Sequence, residues 1–224
     1  GGGGGGAGAT WQRESHASSP QLPTSSAELL HSVPLEVPKA LWRNLIGFFL
    51  AGVVNNFGFV VMLSAAVELL KQSHFDSPSI VLVCDSLPSF IAQLVAPWFM
   101  NYLPYWVRVA AAALLGVAGF LLAAFFDNTA VRLAGVACAS LSSGFGELTF
   151  LAYSSQFNKN TVSAWSSGTG AAGVVGAGAY FLLNLALGPH YTLVACAVVP
   201  ALLLVVFLAV ISKPTIPSGS ALAA

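Results

Sequence analysis

Charge is scarce in this chain: Asp, Glu, Lys and Arg make up 7% of its 224 residues, against about 25% in an ordinary soluble domain. A conventional water-soluble globule is thereby excluded. The few charges cancel to a net charge of zero and no basic run occurs, so nothing is present to track a phosphate backbone, and nucleic acid is excluded as a partner. Cysteine is almost as rare. Cys84, Cys138 and Cys196 each stand alone in an apolar segment without metal-type spacing, so they read as buried thiols, with no metal or cofactor site. His16, His31, His74 and His190 lie outside the apolar segments, and no Ser/His pair, His-Glu-x-x-His or phosphate-cradling glycine loop is present. No catalytic residue is therefore assigned, and the chain is not read as an enzyme. Asn-x-Ser/Thr is absent as well: Asn128-Thr129-Ala130 and Asn160-Thr161-Val162 both miss the pattern. No charged-then-apolar leader precedes the first apolar segment. The first residue is Gly1 rather than Met, so the true start is expected upstream.

What the chain has instead is apolar length, with 56% hydrophobic residues. Six apolar segments are bounded by the breaks: Leu45–Leu70, Ser79–Phe99, Val109–Phe126, Val131–Tyr153, Trp165–Leu187 and Thr192–Ile211. Each is close to the about 20 residues that cross a bilayer core. The fold expected is an all-α membrane protein, a six-transmembrane-helix bundle over residues 42–211. Residues 1–41, glycine-, serine- and proline-rich, are expected to be a disordered cytosolic tail, and 212–224 a short cytosolic tail or a truncation point. Glu28-Leu29-Leu30 is a poor match to an acidic dileucine sorting signal. The connections Lys71–Pro78, Met100–Arg108, Asp127–Ala130, Ser154–Ala164 and Gly188–His190 are short, which makes sequential helices antiparallel. Arg13, Lys39, Arg43, Arg108, Lys159 and Lys213 fall on the N-terminal side, and Lys71 and Arg132 on the other. This favours a cytosolic N-terminus. Trp42, Trp98, Tyr102, Tyr105, Trp106 and Trp165 lie near segment ends, where headgroup-level anchoring is expected.

Polar groups inside these segments carry the functional signal. Ser140–Phe150, SLSSGFGELTF, makes Glu147 an intramembrane acid, and an ionised carboxylate there costs at least about 2.5 kcal/mol unless it is protonated, paired or wetted. The first segment carries Asn55 and Asn56, about 100° apart on a helix, so only one can face a given neighbour squarely. They read either as a solute-facing amide pair or as interhelical hydrogen bonds. The second carries Asp85, Pro88, Gln93 and Pro97; the proline frees the carbonyl of Cys84. Asp85 beside that break reads as a water-accessible site, or as an acid near enough to Ser79 to reach interfacial water. In the fifth, Gly168, Ala172 and Gly176 form a small-residue ridge for close helix packing, with Ser166, Ser167, Thr169 and Gly170 beside it. The other reading is a partly unwound, solute-lining segment. Gly144-Phe145-Gly146-Glu147 looks like the GxGD motif of intramembrane aspartyl proteases, but the acid is Glu and Asp85 follows Cys84 rather than Tyr. That reading is rejected.

The chain resembles the battenin family of lysosomal and vacuolar membrane proteins. The resemblance lies in Trp42–Ala66 (WRNLIGFFLAGVVNNFGFVVMLSAA), Leu87–Pro97, Leu103–Val109, Ser140–Tyr153 (SLSSGFGELTFLAY) and Ala164–Leu183 (AWSSGTGAAGVVGAGAYFLL). These stretches are distributed from residue 42 to residue 183. The resemblance implies half of a major-facilitator-like fold, in a lysosomal or vacuolar membrane. It further implies roles in organelle pH homeostasis and in transport of basic amino acids or glycerophosphodiesters. By the same resemblance Asn55, Asn56, Glu147 and Ser166–Gly170 fall on family motifs and mark the solute pathway, with Asp85 added from its position. The partners implied are the lipid bilayer, a small polar or charged solute with protons among the candidates, and either a C-terminal half or a second copy. Two departures stand out: the long loop that some members have after the first span is reduced to Lys71–Pro78, and no second set of spans follows Lys213. The competing class is a non-transporting membrane scaffold that acts on endolysosomal trafficking through partners.

Overall fold

The computed structural model describes residues 1–3, 39–70, 79–100 and 102–212, with the side chains of 66–69 left aside. The expected tails, the dileucine-like stretch and the Lys71–Pro78 connection lie outside the described residues. Described residues from 39 onward are helical almost throughout: α1 Lys39–Leu70, α2 Ser79–Met100, α3 Tyr105–Phe125, α4 Thr129–Ser154, α5 Asn160–Leu187, α6 Pro189–Cys196, α7 Val199–Val205 and a π-helical turn Val206–Val210. The all-α membrane class expected from composition is what folds.

Among the described residues, five stretches are long and apolar enough to cross a membrane: Lys39–Ala65, Ser79–Met100, Tyr105–Phe125, Asn160–Leu187 and Pro189–Val210. The expected fourth span, α4, is the exception. Its serines, glycines and Glu147 lower its apolarity, yet topology makes it a crossing. Arg43 Nε donates to Ser212 Oγ at 3.1 Å and Ser212 N–H to Asn44 Oδ1 at 2.9 Å, so the first and last helical stretches meet at one end. His190 Nδ1 lies 2.9 Å from the Ala124 carbonyl, which puts the end of α3 and the start of α6 together at the other. Only a full traverse by α4 reconciles the two.

Helix starts run ahead of the apolar segments. α1 begins six residues before Leu45, α3 four before Val109 and α5 five before Trp165, because polar and aromatic residues at the headgroup level are helical without being hydrophobic. The last span is broken rather than continuous. Pro200 has no N–H to offer Cys196, and the chain turns at Ala197–Val198 before resuming. Gly188, between α5 and α6, has φ 78°, a conformation that disfavours any side chain. Trp165 is not an interfacial anchor: it is 1% exposed and stacks on Phe150 at 5.1 Å. Trp42, Trp98, Tyr102 and Trp106 are exposed, as the anchoring reading expects.

Lipid offers no hydrophobic drive for helices to associate, so close backbone approach has to supply it. Gly119 of α3 and Gly135 of α4 face each other: a Cβ on either would come within 2.7 Å of the other's backbone oxygen. Gly52 of α1 does the same against the Trp165 carbonyl of α5, at 2.5 Å. Around these crossings lie two clusters, one built on Phe57, Met62, Phe120 and Val136, the other aromatic, on Phe48, Phe150, Tyr153 and Trp165.

One buried cation closes the α2–α3 connection. Arg108 Nε donates to the Leu103 carbonyl at 2.8 Å, its Nη2 donates to the Met100 carbonyl, and the guanidinium lies 4.6 Å from the Tyr105 ring centre. It thus adds a charged donor to the Met100 carbonyl at the end of α2, which also accepts from Leu103 N–H at 3.0 Å, and ties down the Leu103 carbonyl of the connection. Arg108→Leu is expected to lower stability by about 1.5–3 kcal/mol, the range for hydrogen bonds to a charged group. Arg108→Lys should recover only part, since an ammonium has no planar fork. Thermal unfolding in detergent reads both.

Candidate functional site

The stretch around Glu147 is the hub of the bundle, because successive residues of α4 address different neighbours. Toward α3, Ser142 Oγ donates to the Ala112 carbonyl at 2.6 Å. Toward α1, Asn55 Nδ2 donates to the Ser143 carbonyl at 2.9 Å, and Ser143 Oγ donates to Asn56 Oδ1 at 3.3 Å. Toward α2, Ser89 N–H donates to Ser140 Oγ at 3.0 Å, and the same hydroxyl donates to the Asp85 carbonyl. The two glycines serve the same contacts. A Cβ on Gly144 would stand 2.7 Å from the Ser89 carbonyl oxygen, and one on Gly146 would overlap the Asn55 amide.

The two asparagines are not divided between neighbours. Both reach Ser143, one through its carbonyl and the other through its hydroxyl, so a single residue between their directions receives both. Asn55 Oδ1 has no hydrogen-bond partner among the described residues.

Glu147 is half-buried and accepts from Gln93 Nε2 of α2 at 3.2 Å. At 100° per residue it falls between the Ser140–Gly144 stripe that meets α2 and the Ser143–Gly146 stripe that meets α1. It therefore lies on the side of α4 between those two helices, which touch each other little. No cation pairs with it: among the described residues the one ion pair is Arg132–Asp127, at the α3–α4 turn. An acid with a neutral amide as its partner keeps its capacity to take a proton or a cationic group.

Asp85 lies about 12 Å before Gln93 along α2, counting 1.5 Å per residue. It has no exposed surface, so it does not reach water at the helix start, and neither carboxylate oxygen has a hydrogen-bond partner among the described residues. Asp85 and Glu147 therefore do not form one site.

The α5 residues are placed differently again. α5 is helical without interruption from 160 to 187, so the unwound segment is not found. Gly168, Ala172 and Gly176 are buried; a Cβ on Gly168 would overlap the Phe49 carbonyl of α1, and one on Gly176 would come within 3.0 Å of Val60. Ser166, Ser167 and Gly170 are exposed. Ser167 Oγ donates to the Ser163 carbonyl at 2.9 Å and Thr169 Oγ1 to the Ser166 carbonyl at 2.8 Å, so these hydroxyls are spent on their own helix. No group of three or more His, Cys, Asp or Glu residues suited to a metal occurs among the described residues. Reasoning from the sequence left Gln93 and the serines of α4 without roles. Gln93 was visible as a polar group in an apolar segment, but its partner was not.

Comparison with known proteins gives one consistent result. Residues 46–222 match the family described as CLN3 protein. The chain is 39% identical over 202 residues to battenin of Canis lupus familiaris, covering 78% of this chain and 46% of that protein. It is 41% identical over 187 residues to protein btn1 of Aspergillus fumigatus, covering 80% and 40%. With protein BTN1 of Saccharomyces cerevisiae it shares 38% over 137 residues, covering 61% and 33%. The chain thus spans less than half the length of these curated relatives. No solved structure matches it.

Proposed function

The chain belongs to the CLN3 protein family, and from that premise we propose that it forms a bundle of a multi-pass membrane transporter in which Glu147 handles a proton or a cationic group of the solute. The observation that carries this reading is a half-buried carboxylate within a membrane-crossing helix, on the side of α4 between α1 and α2, with the neutral Gln93 amide on one oxygen and no cation beside it among the described residues. Asn55, Asn56 and Ser143 supply amide and hydroxyl groups at the same level of the bundle. The solutes we propose are basic amino acids or glycerophosphodiesters, moved in a lysosomal or vacuolar membrane with the N-terminus cytosolic, in a role that bears on organelle pH. Asp85 serves the same pathway as a second, separate acid. Ser166, Ser167, Thr169 and Gly170 face outward on α5, where a further bundle or a second copy completes the pathway wall.

The test is uptake of radiolabelled arginine and of glycerophosphocholine into vesicles carrying the protein, across a range of pH. Glu147→Gln keeps the side-chain shape and removes the charge. It is expected to lower flux on the order of 10–100-fold, the equivalent of one lost charge-assisted interaction of about 1.5–3 kcal/mol, and to flatten the pH dependence. Unchanged flux with an unchanged pH profile would remove Glu147 from the mechanism.

A further inference from the structure

Nearly the whole outer side of α2 is exposed; its buried residues are Val81, Asp85, Ala96 and Met100. Two features weaken it midway. Pro88 offers no N–H to the Cys84 carbonyl. One residue later the turn between Asp85 and Ser89 has the Ser140 hydroxyl set between its carbonyl and its N–H, an insertion into the backbone ladder of the kind at which helices bend. Beyond this point only Ala96 and Met100 are buried, and Phe99 stacks on Phe145 of α4 with ring centres 6.1 Å apart. A groove of about 330 Å³ lies beneath this part of the helix, lined by Ile91, Val95 and Phe99 of α2, Ala111 and Leu115 of α3 and Phe145 of α4 among others. The polar tie that holds this arm to α4 across the groove's edge is the Gln93–Glu147 hydrogen bond.

We infer that Gln93 is a positioning residue that couples the state of Glu147 to the α2 arm from Ser89 to Met100, which swings about the Pro88–Ser140 joint. This deepens the proposed role of Glu147 and rests on it. An ionised Glu147 accepts a charge-assisted bond from Gln93, and such bonds are roughly twice as strong as neutral ones. Protonation, or capture of a cationic group, removes that advantage and frees the arm to close onto α3. The groups around Glu147 keep the assignment simple. α2 presents Gln93, α1 turns the Asn55 and Asn56 amides toward α4, and Arg108 of α3 is occupied by the Met100 and Leu103 carbonyls. Asp85, the other acid, lies on α2 about 12 Å from Gln93 along the helix, and its carboxylate has no partner among the described residues.

Spin labels at Leu94→Cys on the arm and Leu114→Cys on α3, both exposed positions, read the movement by pulsed electron resonance in lipid nanodiscs, after Cys84, Cys138 and Cys196 are replaced by Ala. A second pair, Val83→Cys with Leu114→Cys, reports on α2 before the joint. The expected result is a shorter Leu94–Leu114 distance at pH 5 than at pH 8 with no change in the Val83 pair. The shift should be lost in Gln93→Leu, and regained when Gln93→Glu is combined with Glu147→Gln, which reverses the pair. A shift that survives in Gln93→Leu, or an arm that does not move between the two pH values, overturns the inference while the flux test of Glu147 stands. A shift that survives in Glu147→Gln shows that Glu147 is not the titrating group and overturns the inference, while its role toward a cationic solute group is decided by the flux test.

Discussion

Gly168→Leu is expected to break the α1–α5 pairing and cost about 3 kcal/mol or more, at or beyond the usual upper range for overpacking. The contact leaves no flexible side chain to yield. A Cβ at 168 overlaps the carbonyl of Phe49, with its carbonyl carbon 2.9 Å away, so the two helix axes would have to part. They are also locked from the other side, where Gly52 meets the Trp165 carbonyl. In lipid this loss is not offset by apolar burial elsewhere, since a leucine is as content among acyl chains as between helices. A control lies on the same helix: a Cβ on Gly170 meets nothing within 4 Å, so Gly170→Leu should leave the melting temperature in detergent nearly unchanged. Equal losses at both positions would mean that helix propensity, rather than the crossing, sets the stability of α5.

Asp85→Leu is expected to do the opposite and raise stability by about 1–3 kcal/mol, the cost of leaving a buried polar group without partners. Its carboxylate oxygens have none among the described residues, and its neighbours on α2, Val81 and Cys84, belong to the apolar cluster with Val136 and Met62. A residue kept against such a cost belongs to the class of sites where function and stability trade against each other. The same variant should therefore melt later and transport less. Destabilisation by Asp85→Leu would show instead that the carboxyl is structural, and transport at the parent rate would remove it from the pathway.

Much of this protein is legible from composition and spacing. A chain with so little charge and with apolar segments of bilayer length has to satisfy its backbone inside each segment, which leaves helices as the outcome. Glu147 stands out because a carboxylate among apolar residues is costly wherever the helix is placed. The ridge Gly168–Ala172–Gly176 follows from a spacing of four on a period of 3.6. Less apolar helix ends were missed because hydropathy registers transfer to lipid, and the first turns at a headgroup surface are not transferred. Trp165 illustrates the same blindness. Its place near a segment end is compatible with anchoring or with burial, and only Phe150, fifteen residues upstream on α4, decides for burial.

Sequence alone thus determined the class, the approximate number of helices and the acids that membrane burial makes conspicuous, because those depend on each segment's own contact with lipid. Tertiary structure alone decided partners. Ser143 joins both asparagines, Gln93 and not a cation meets Glu147, Asp85 is sealed away from it, and the α5 hydroxyls turn back on their own helix. The reason is physical: a segment's transfer to lipid is summed residue by residue along the chain, whereas a hydrogen bond between helices depends on their relative rotation and depth, which short-range sequence does not carry.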